Sequence, residues 1–306
     1  MIKHLLSMQD LRSKEIETIL NDAVKLKQKT KKEETHEVLR GKTLAMIFAK
    51  PSTRTRVSFE VAMTQLGAHA IYLGWNDLQL GRGETIADTA RTLSRYVDVI
   101  TARLFKHLDI VELARYSSVP VINALTDLHH PCQTLADLLT IQEHKGKLKG
   151  LKMAWVGDGN NVCNSLMLGC TLVGADISLA CPKGYEPPTE LVKQARANAR
   201  ESGSKVEIVA EPERAVLKSD VVYTDVFVSM GQEAEANQKL KRFLPKYQVN
   251  KALLNHAKSD AIVLHCLPWK PGQEITKDIA YSPQCVAFDQ AENRLHVVKS
   301  VLTFLL

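Results

Sequence analysis

Short apolar runs alternate with helix-like patterns along most of the chain, and this alternation constrains the fold more than any other feature. Residues 43–48 form a compact apolar run that is typical of a buried strand, whereas Val57, Val61 and Leu66 recur at helix-like spacing. Repeated strand–helix–strand order favours parallel strands joined by crossover helices. We therefore expect an α/β protein with open parallel sheets.

The alternation occurs twice, on either side of a polar stretch at Glu143–Gly150, where we expect a domain boundary. Predicted strands lie at 43–48, 69–73, 98–102 and 119–123 before it, and at 152–156, 176–180, 206–209, 221–224 and 262–264 after it. Helices are predicted from the capping box of Ser7 and Asp10, from Ser52–Thr53, near Thr85, from His130–Pro131, near Val162, over 189–201 and over 292–306.

Composition narrows the class of protein. The 306 residues suffice for two α/β domains, and 45% hydrophobic with 24% charged residues is typical of a globular chain. The net charge of +6 is scattered, which suits a small anionic substrate and gives no nucleic-acid-binding stripe. The 6 cysteines lack paired spacing, so no metal site, ligand cluster or disulfide framework is expected. Without a signal, transit or membrane-spanning pattern, we expect a cytoplasmic protein with no membrane partner.

The strand at 43–48 leads into residues 50–56, which read Lys-Pro-Ser-Thr-Arg-Thr-Arg. Ser52 and Thr53 fall at the predicted start of a helix, where free backbone N–H groups and the helix dipole favour an anion. The guanidiniums of Arg54 and Arg56 add forked donors that match phosphate oxygens. A simpler alternative is an ordinary Ser/Thr cap followed by solvated arginines. The glycine-rich nucleotide P-loop pattern is absent.

Residues 156–162, Val-Gly-Asp-Gly-Asn-Asn-Val, partly match a dinucleotide-binding fingerprint. The third glycine is missing because Val162 stands there, and the next predicted strand ends in Cys-Pro rather than in the acidic residue that binds a ribose hydroxyl. This disfavours a dehydrogenase. Asn160 and Asn161 nonetheless follow a strand, at the edge where open α/β sheets bind ligands.

Further polar residues follow other predicted strands. Their simpler interpretations are a surface charge, a capped helix with a packed histidine, and an inert core cysteine. Their position at strand ends favours a functional role instead. These segments are Arg103, His129–Gln133, Asp225–Gly231 and His265–Pro268.

Together these segments resemble those of the ornithine carbamoyltransferases. Residues 50–60 resemble the carbamoyl-phosphate signature of carbamoyltransferases, and the His-Pro-Cys-Gln segment at 130–133 with the following Leu-Ala-Asp-Leu-Leu-Thr is similar to their second signature. The Ser-Met-Gly at 229–231 and the His-Cys-Leu-Pro at 265–268 are similar to the pair found in the ornithine-specific enzymes. The resemblance extends from the first helix to the Ala-Glu-Asn-Arg at 291–294.

The resemblance implies an α/β fold of two doubly wound open parallel-sheet domains joined by helices. A carbamoyl-phosphate-binding domain would cover 1–145 and be completed by the C-terminal helix 291–306, which packs back on it, and an ornithine-binding domain would cover 146–290. The implied reaction transfers the carbamoyl group of carbamoyl phosphate to the δ-amine of L-ornithine, giving L-citrulline and phosphate, with no cofactor and no metal. The implied assembly is a homotrimer or a multiple of trimers, with Gln79 reaching the phosphate of the neighbouring subunit, although some relatives carry His there.

The same resemblance implies a role for each matching residue. Thr55, Arg103 and His130 would stabilise the carbonyl oxygen, and Cys266, with Asp225, would set the protonation state of the δ-amine without forming a covalent bond. The implied catalytic residues are Cys266, Arg103 and His130. The implied ligands of carbamoyl phosphate are Ser52, Thr53, Arg54, Thr55, Gln79, Arg103, His130, Pro131, Cys132, Gln133, Cys266, Leu267 and Arg294. The implied ligands of ornithine are Asn161, Asp225, Ser229 and Met230.

Three alternatives stay open. An aspartate carbamoyltransferase would share the first half of the chain but should lack the Ser-Met-Gly and His-Cys-Leu-Pro segments. An enzyme for an acetylated ornithine or a diamine is closer, although neither acceptor uses both an ammonium site at Asp225 and a carboxylate site. The third alternative is a non-catalytic amino-acid-binding module of the same fold. The full set of phosphate-site residues argues against it, because such a module has no reason to keep them all.

Overall fold

The computed structural model describes residues 3–229 and 233–306, and the chain forms two compact units. Unit 1 comprises Met1–Leu139 and Glu292–Leu306, and unit 2 comprises Thr140–Ala291. The first division falls inside a helix, shortly before the polar stretch at which the sequence predicts a boundary. In the described part of the chain, no helix is long and apolar enough to cross a membrane.

Unit 1 contains a parallel sheet in the order β2-β1-β3-β4. The strands are β1 (Thr43–Phe48), β2 (His69–Gly74), β3 (Val99–Arg103) and β4 (Val121–Leu125), and the helices are α1 (Ser13–Lys31), α2 (Thr53–Gln65), α3 (Ile86–Leu93), α4 (His107–Tyr116) and the first part of α5 (Pro131–Lys145). The residues of β3 are all buried, including the polar Thr101 and the charged Arg103, so exposed and buried positions do not alternate along this strand.

Unit 2 contains a five-stranded parallel sheet in the order β7-β6-β5-β8-β9. The strands are β5 (Lys152–Val156), β6 (Asp176–Ala180), β7 (Val206–Val209), β8 (Val221–Tyr223) and β9 (Ile262–Leu264). The helices are α6 (Asn161–Leu172), α7 (Thr189–Ser202), α8 (Pro212–Val216), α9 (Ala236–Phe243), α10 (Lys251–Leu254), α11 (Lys277–Ala280) and the start of α12 (Ala287–Leu305). The expected fold of two doubly wound parallel-sheet domains is confirmed.

Each sheet has one point at which the strand order reverses. In unit 1 the chain moves from β1 outward to β2 and then returns to the other side of β1 with β3. In unit 2 it moves from β5 through β6 to β7 and then returns beside β5 with β8. Ligands of open α/β sheets bind outside the carboxyl ends of the strands at such reversal points. The loops after β1, β3, β5 and β8 are therefore the places to look for a site.

The C-terminal helix packs on the first domain, as expected. Within unit 1, the Ser300 hydroxyl donates to the carbonyl of Ile19 in α1 at 2.7 Å, and the Lys27 ammonium donates to the Asn293 side chain at 2.8 Å. Lys299 is fully buried and donates to the Thr30 hydroxyl at 2.6 Å. Buried polar groups of this kind fix one packing arrangement because an unpaired partner would be costly.

Several predicted element boundaries are wrong, including that of β4, which spans Val121–Leu125 rather than 119–123. The capping box of Ser7 and Asp10 is present, but it caps a short 3₁₀ turn at Met8–Asp10, and the extended residues Leu11 and Arg12 separate that turn from α1. The terminal helix begins at Ala287, earlier than the predicted 292. The stretch around Gln79 contains 3₁₀ turns at Trp75–Asp77 and Gln79–Arg82.

Candidate active site

The carboxyl end of β1 leads directly into the first turn of α2. Ser52 is the N-cap in an extended conformation, and its hydroxyl oxygen accepts from the Thr55 backbone N–H at 3.3 Å. The Ser52 hydroxyl also donates to the Thr55 hydroxyl oxygen at 3.1 Å. Thr55 is buried, Ser52 and Arg54 are half-buried, and Thr53 is exposed. This first turn offers hydroxyls, backbone N–H groups and the positive end of the helix dipole to an anion.

The two arginines of this segment differ in their contacts. Arg56 donates through Nε to Glu60 at 3.0 Å, and its guanidinium lies 3.9 Å from the centroid of the Tyr72 ring. That guanidinium is therefore engaged along α2 and with β2 rather than at the start of the helix. The expectation that both arginines add donors to one anion site is not supported for Arg56, whereas Arg54 stays a candidate.

The end of β3 lies next to the end of β1. Arg103 pairs in register with Phe48, and its carbonyl accepts from the Ala49 N–H at 2.9 Å. Because the two strands end together at the point of reversal, Arg103 lies beside the segment that enters α2. Its side chain is buried, 6% exposed.

Positive charge surrounds a neutral histidine after β4. Burial lowers the pKa of His130 well below its usual value, and the charges of Arg294 and Arg103 lower it further. All three side chains are buried. The structure thus brings together three of the predicted residues from β3, the α5 entrance and α12. A neutral imidazole can donate one hydrogen bond to a carbonyl oxygen, as the sequence-based prediction requires.

A hydrogen-bond chain fixes the Gln133 amide. Arg294 Nη1 donates to Gln133 Oε1 at 2.6 Å, and Gln133 Nε2 donates to Asp137 Oδ1 at 2.8 Å. Asp137 is fully buried one turn further along α5. Because an amide oxygen has two lone pairs, Gln133 Oε1 can still accept from a ligand NH₂ group. Asp137 belongs to the second signature named from the sequence, but the sequence analysis assigned it no role.

Two predicted ligands, Pro131 and Cys132, lie at the start of α5. The Cys132 thiol is fully buried and donates to the Asn123 carbonyl at 3.7 Å, and burial raises its pKa to about 11. It is therefore a neutral core thiol. Pro131, the first residue of α5, has no N–H.

Gln79 is exposed in its 3₁₀ turn, and its predicted role toward a neighbouring subunit stays a prediction.

In unit 2, the loops after β5 and β8 meet at Asp225. Asp225 Oδ2 accepts from Asn160 Nδ2 at 2.8 Å, while Oδ1 accepts from the Val226 N–H at 2.8 Å and from the Cys266 thiol at 3.2 Å. The carboxylate is buried, 7% exposed. The strand ends of β5, β8 and β9 thus converge on one carboxylate, as the second reversal point predicts.

The two asparagines after β5 have different structural roles. Asn160 is the N-cap of α6, and its side-chain oxygen accepts from the backbone N–H groups of Val162 and Cys163, both at 3.0 Å. Its amide nitrogen is the donor to Asp225. Asn161, the residue named from the sequence, begins α6 and is half-buried. Sequence reasoning noted both amides but did not assign the bond that Asn160 makes with Asp225.

The remaining predicted residues of unit 2 lie after β8 and β9. Ser229 is half-buried, and Met230 lies outside the described residues. Leu267 has a positive φ of 59°, and its N–H donates to His265 Nδ1 at 2.9 Å. Few non-glycine residues adopt this conformation unless their surroundings impose it.

The prediction that no cluster of metal-ligating side chains exists is wrong, because the structure places three such side chains close together. Ligand atoms of Asp225, His265 and Cys266 all lie within 4.8 Å of one another. Both ring nitrogens of His265, however, already have hydrogen-bond partners, Leu267 N–H at Nδ1 and Glu274 at Nε2. To bind a metal ion, His265 would have to lose one of these hydrogen bonds. If it kept both, only Asp225 and Cys266 would be left as ligands.

The glycine-rich turn after β5 has no room for a dinucleotide. Gly159 donates its N–H to the Tyr185 carbonyl at 2.8 Å, and a Cβ on Gly159 would meet the Pro187 nitrogen at 2.5 Å. The backbone that a pyrophosphate would approach is therefore already packed against residues 185–187. This observation agrees with the sequence-based argument against a dehydrogenase.

Fold and geometry together define an α/β protein whose polar and charged side chains gather at the carboxyl ends of parallel strands, where proteins of this class bind small ligands. The family model described as aspartate/ornithine carbamoyltransferase, carbamoyl-P binding domain, matches residues 3–143, and that described as the Asp/Orn binding domain matches residues 149–305. The chain belongs to the aspartate/ornithine carbamoyltransferase family.

Individual relatives match over nearly the full chain. An ornithine carbamoyltransferase of Pyrococcus horikoshii is 58% identical over 99% of this chain and 96% of its own length. One of Archaeoglobus fulgidus is 54% identical over 100% of this chain and 98% of its own length. The solved structure of ornithine carbamoyltransferase from Pyrococcus furiosus is 56% identical, covers 99% of this chain and 97% of that chain, and superposes with a TM-score of 0.96.

Proposed function

We propose that this protein is an ornithine carbamoyltransferase, which transfers the carbamoyl group of carbamoyl phosphate to the δ-amine of L-ornithine and releases L-citrulline and phosphate. The observation that carries the choice of acceptor is the buried Asp225 carboxylate, which is hydrogen bonded to the Cys266 thiol and to Asn160 in unit 2. A carboxylate suits the ammonium of an amino acid, and the relatives from the two Pyrococcus species share this acceptor in their names.

In the proposed reaction, Ser52, Thr53, Arg54 and Thr55 hold the phosphate through backbone N–H groups, hydroxyls and one guanidinium. The helix N-terminus and the half-buried Arg54 support this role because charge-assisted hydrogen bonds to phosphate strengthen away from bulk water. As the carbamoyl carbon is attacked, negative charge develops on its oxygen, and Thr55, Arg103 and the neutral His130 donate to it. Pro131 and Cys132 would contact the ligand through their backbone.

Gln133, the Leu267 carbonyl and Arg294 orient the carbamoyl group. The bonds of Gln133 to Arg294 and Asp137 support this role, since they hold the amide in one orientation. Much of the rate acceleration would come from holding the two substrates in an attacking geometry, and effective molarities of about 10⁵–10⁸ M are known for such positioning.

Asn161, Asp225, Ser229 and Met230 bind the amino-acid end of ornithine, and Cys266 lies near the δ-amine. The thiol would tune or accept the proton of this amine without becoming a nucleophile toward the carbamoyl carbon. Its hydrogen bond to Asp225 supports that role, because it links the protonation of the thiol to that of the carboxylate.

We further propose a cytoplasmic homotrimer, or a multiple of trimers, in which Gln79 completes the phosphate site of a neighbouring subunit. The exposure of Gln79 supports this arrangement. We also propose a biosynthetic direction, toward citrulline and arginine, since the relative from Pyrococcus furiosus, 56% identical, is named anabolic.

The test is citrulline formation from carbamoyl phosphate with ornithine, aspartate, putrescine or N-acetylornithine as acceptor. We expect a strong preference for ornithine. Arg54→Ala should lower the rate by about 10²–10³-fold, the typical cost of losing one preorganised donor. Arg56→Ala is the matched control, because Arg56 is engaged with Glu60 and Tyr72, and it should retain most of the activity.

The acceptor result separates the alternatives. Asp225→Ala should abolish the preference for ornithine. Activity only with aspartate, putrescine or N-acetylornithine would keep the phosphate site and overturn the ornithine site. Ornithine binding by calorimetry without turnover of any acceptor would favour the amino-acid-binding module.

A further inference from the structure

Unit 2 contains a fully buried acid–imidazole pair that the proposed reaction does not use. His265 Nε2 lies 3.1 Å from Glu274 Oε1, and both side chains have 0% exposure. His265 immediately precedes Cys266 at the carboxyl end of β9, whereas Glu274 lies beyond the loop after that strand. A buried carboxylate is costly unless its oxygens are hydrogen bonded, so the pair calls for a physical reason.

The hydrogen bonds of His265 assign the tautomer of its ring. Nδ1 accepts from the Leu267 backbone N–H at 2.9 Å, so Nδ1 carries no proton. The ring proton is therefore on Nε2 and is donated to Glu274. The imidazole therefore bridges the Glu274 carboxylate and the Leu267 backbone, with one hydrogen bond at each ring nitrogen.

One end of this link is rigid. The Glu274 carbonyl accepts from the Val249 N–H at 2.9 Å, and its Oε1 also accepts from the Lys270 N–H at 2.6 Å. The backbone N–H of His265 donates to Gln290 Oε1 at 3.0 Å. Glu274 is thus anchored by backbone pairing, and its carboxylate closes the 270–274 turn at the same time.

The other end of the link holds two groups of the proposed active site. Leu267 has a positive φ of 59°. This conformation is unfavourable for a residue with a β-carbon, and it persists only where neighbouring contacts impose it. The Leu267 N–H bond to His265 is such a contact. Cys266 lies between the two bonded residues, with its thiol donating to Asp225 at 3.2 Å. Losing the link would free both the thiol and the adjoining carbonyl.

We propose that Glu274 is a positioning residue that acts through the His265 imidazole to hold the Cys266 thiol and the Leu267 carbonyl in their reactive positions. This inference rests on the proposed function, in which the thiol faces the δ-amine and the carbonyl orients the carbamoyl group. In this role Glu274 fixes the orientation of the His265 ring, and the pair does not itself bind a ligand. Carboxylate–imidazole pairs in other proteins fix ring orientation in the same way.

The test compares five variants of the chain, of which two, His265→Asn and the double variant Glu274→Ala/His265→Asn, probe the imidazole. Glu274→Ala removes the acceptor, Glu274→Gln keeps an oxygen that accepts from His265 and Lys270, and Gln248→Ala is the matched control. Gln248 Nε2 donates to the carbonyls of Gly272 and Gln273, both at 2.9 Å, so it stabilises the same turn without contacting His265. Citrulline formation gives kcat and KM, and iodoacetamide labelling of the Cys266 peptide, followed by mass spectrometry, reports the thiol directly.

We expect Glu274→Ala to lower kcat by about 10²-fold, as displacement of reacting groups by about 1 Å does, with a much smaller change in KM for ornithine. Labelling of Cys266 should become faster, because its thiol is no longer held against Asp225. Glu274→Gln should restore most of kcat and the slow labelling, and Gln248→Ala should retain both. His265→Asn, which cannot reach Glu274, should match Glu274→Ala, and the losses in the double variant should not add.

The outcomes distinguish this inference from the proposed function. Wild-type turnover with equal kcat losses in Glu274→Ala and Gln248→Ala would show a merely structural turn and overturn the inference. Unchanged Cys266 labelling in both Glu274→Ala and His265→Asn would overturn it too. If the wild type forms no citrulline, the proposed function fails, yet the labelling rates still decide whether Glu274 positions the thiol. If Glu274→Ala does not fold, His265→Asn and Glu274→Gln decide.

Discussion

A buried ion pair in unit 2 makes a quantitative prediction possible. Lys239 of α9 donates to the Asp158 carboxylate at 2.5 Å, and the two side chains are only 3% and 10% exposed. The ammonium also lies 5.4 Å from the centroid of the Tyr185 ring and 5.9 Å from that of Phe243. The pair therefore connects the loop after β5 with α9, which comes after the segment that carries Ser229.

Removing one partner should cost far more than removing both. Lys239→Met keeps most of the apolar volume but leaves the Asp158 charge buried without its partner, which typically costs about 3–5 kcal/mol. A loss of that size lowers Tm by roughly 6–20 °C in a domain of this size. In Lys239→Met/Asp158→Asn no charge remains buried, so Tm should recover most of its loss, and the two single losses should be strongly non-additive.

The same pair predicts how the loss depends on pH. Burial raises the pKa of Asp158, and Lys239 offsets part of that rise. In Lys239→Met the offset is gone, so the pKa of Asp158 rises further above its unfolded value. The folded state then binds more protons than the unfolded state, and stability falls as pH rises through the folded pKa. The Tm deficit of Lys239→Met should therefore be larger at pH 7 than at pH 5.

Differential scanning fluorimetry of the wild type, both single variants and the double variant at the two pH values measures these effects. Asp158→Asn controls for the carboxylate alone and should also be destabilised, since it leaves a buried ammonium. Additive losses in the double variant, or a Tm deficit of Lys239→Met that does not change with pH, would refute the argument that the penalty comes from an unpaired buried charge.

Three further predictions concern other parts of the structure. Burial lowers the pKa of Lys299 to about 8, so the unfolded state binds the extra proton above that pH and wild-type stability should rise with pH between about 8 and 10; Lys299→Met should remove this rise in thermal melts. Gly159→Ala would place a Cβ 2.5 Å from the Pro187 nitrogen and should lower Tm clearly, whereas Gly184→Ala, at a φ of +89° with nothing within 4 Å, measures the cost of backbone strain without a clash. Asp137→Ala should lower kcat by freeing the Gln133 amide, and Asp137→Asn should restore part of it in the citrulline assay.

Most of the fold could be predicted from sequence because local pattern and burial agree. Parallel strands covered on both faces are continuous apolar runs, so β1, β5 and β9 coincide with their predicted spans. The start of α1 could not be found this way, because the capping box at Ser7 is a local signal that a 3₁₀ turn satisfies as well as an α-helix does. Whether a helix continues beyond that first turn depends on packing, which the local signal does not contain.

The candidate site, like the fold, could be predicted from the sequence only in part. Residues directly after a strand could be named from sequence, since topology alone brings strand ends to one edge. The side-chain partners could not. Asp137 looks like any polar residue of a helix, and nothing in the sequence pairs His265 with Glu274 across the intervening loop. Such bonds depend on side-chain direction within the folded core, where hydrophobic pattern carries no information about them.

The Asp225 carboxylate shows how the fold limits the chemistry of the thiol beside it. Oδ1 already accepts from the Val226 N–H and the Cys266 thiol, whereas Oδ2 accepts, among the described residues, from Asn160. A carboxylate oxygen accepts about two hydrogen bonds, so a substrate ammonium would bind at Oδ2. The thiol proton is meanwhile directed at Oδ1, which makes Cys266 a hydrogen-bond donor to the residue that would bind the ammonium. In this arrangement a change of charge at Asp225 alters the thiol and the ammonium together, which favours a role for Cys266 in proton balance over one as a nucleophile.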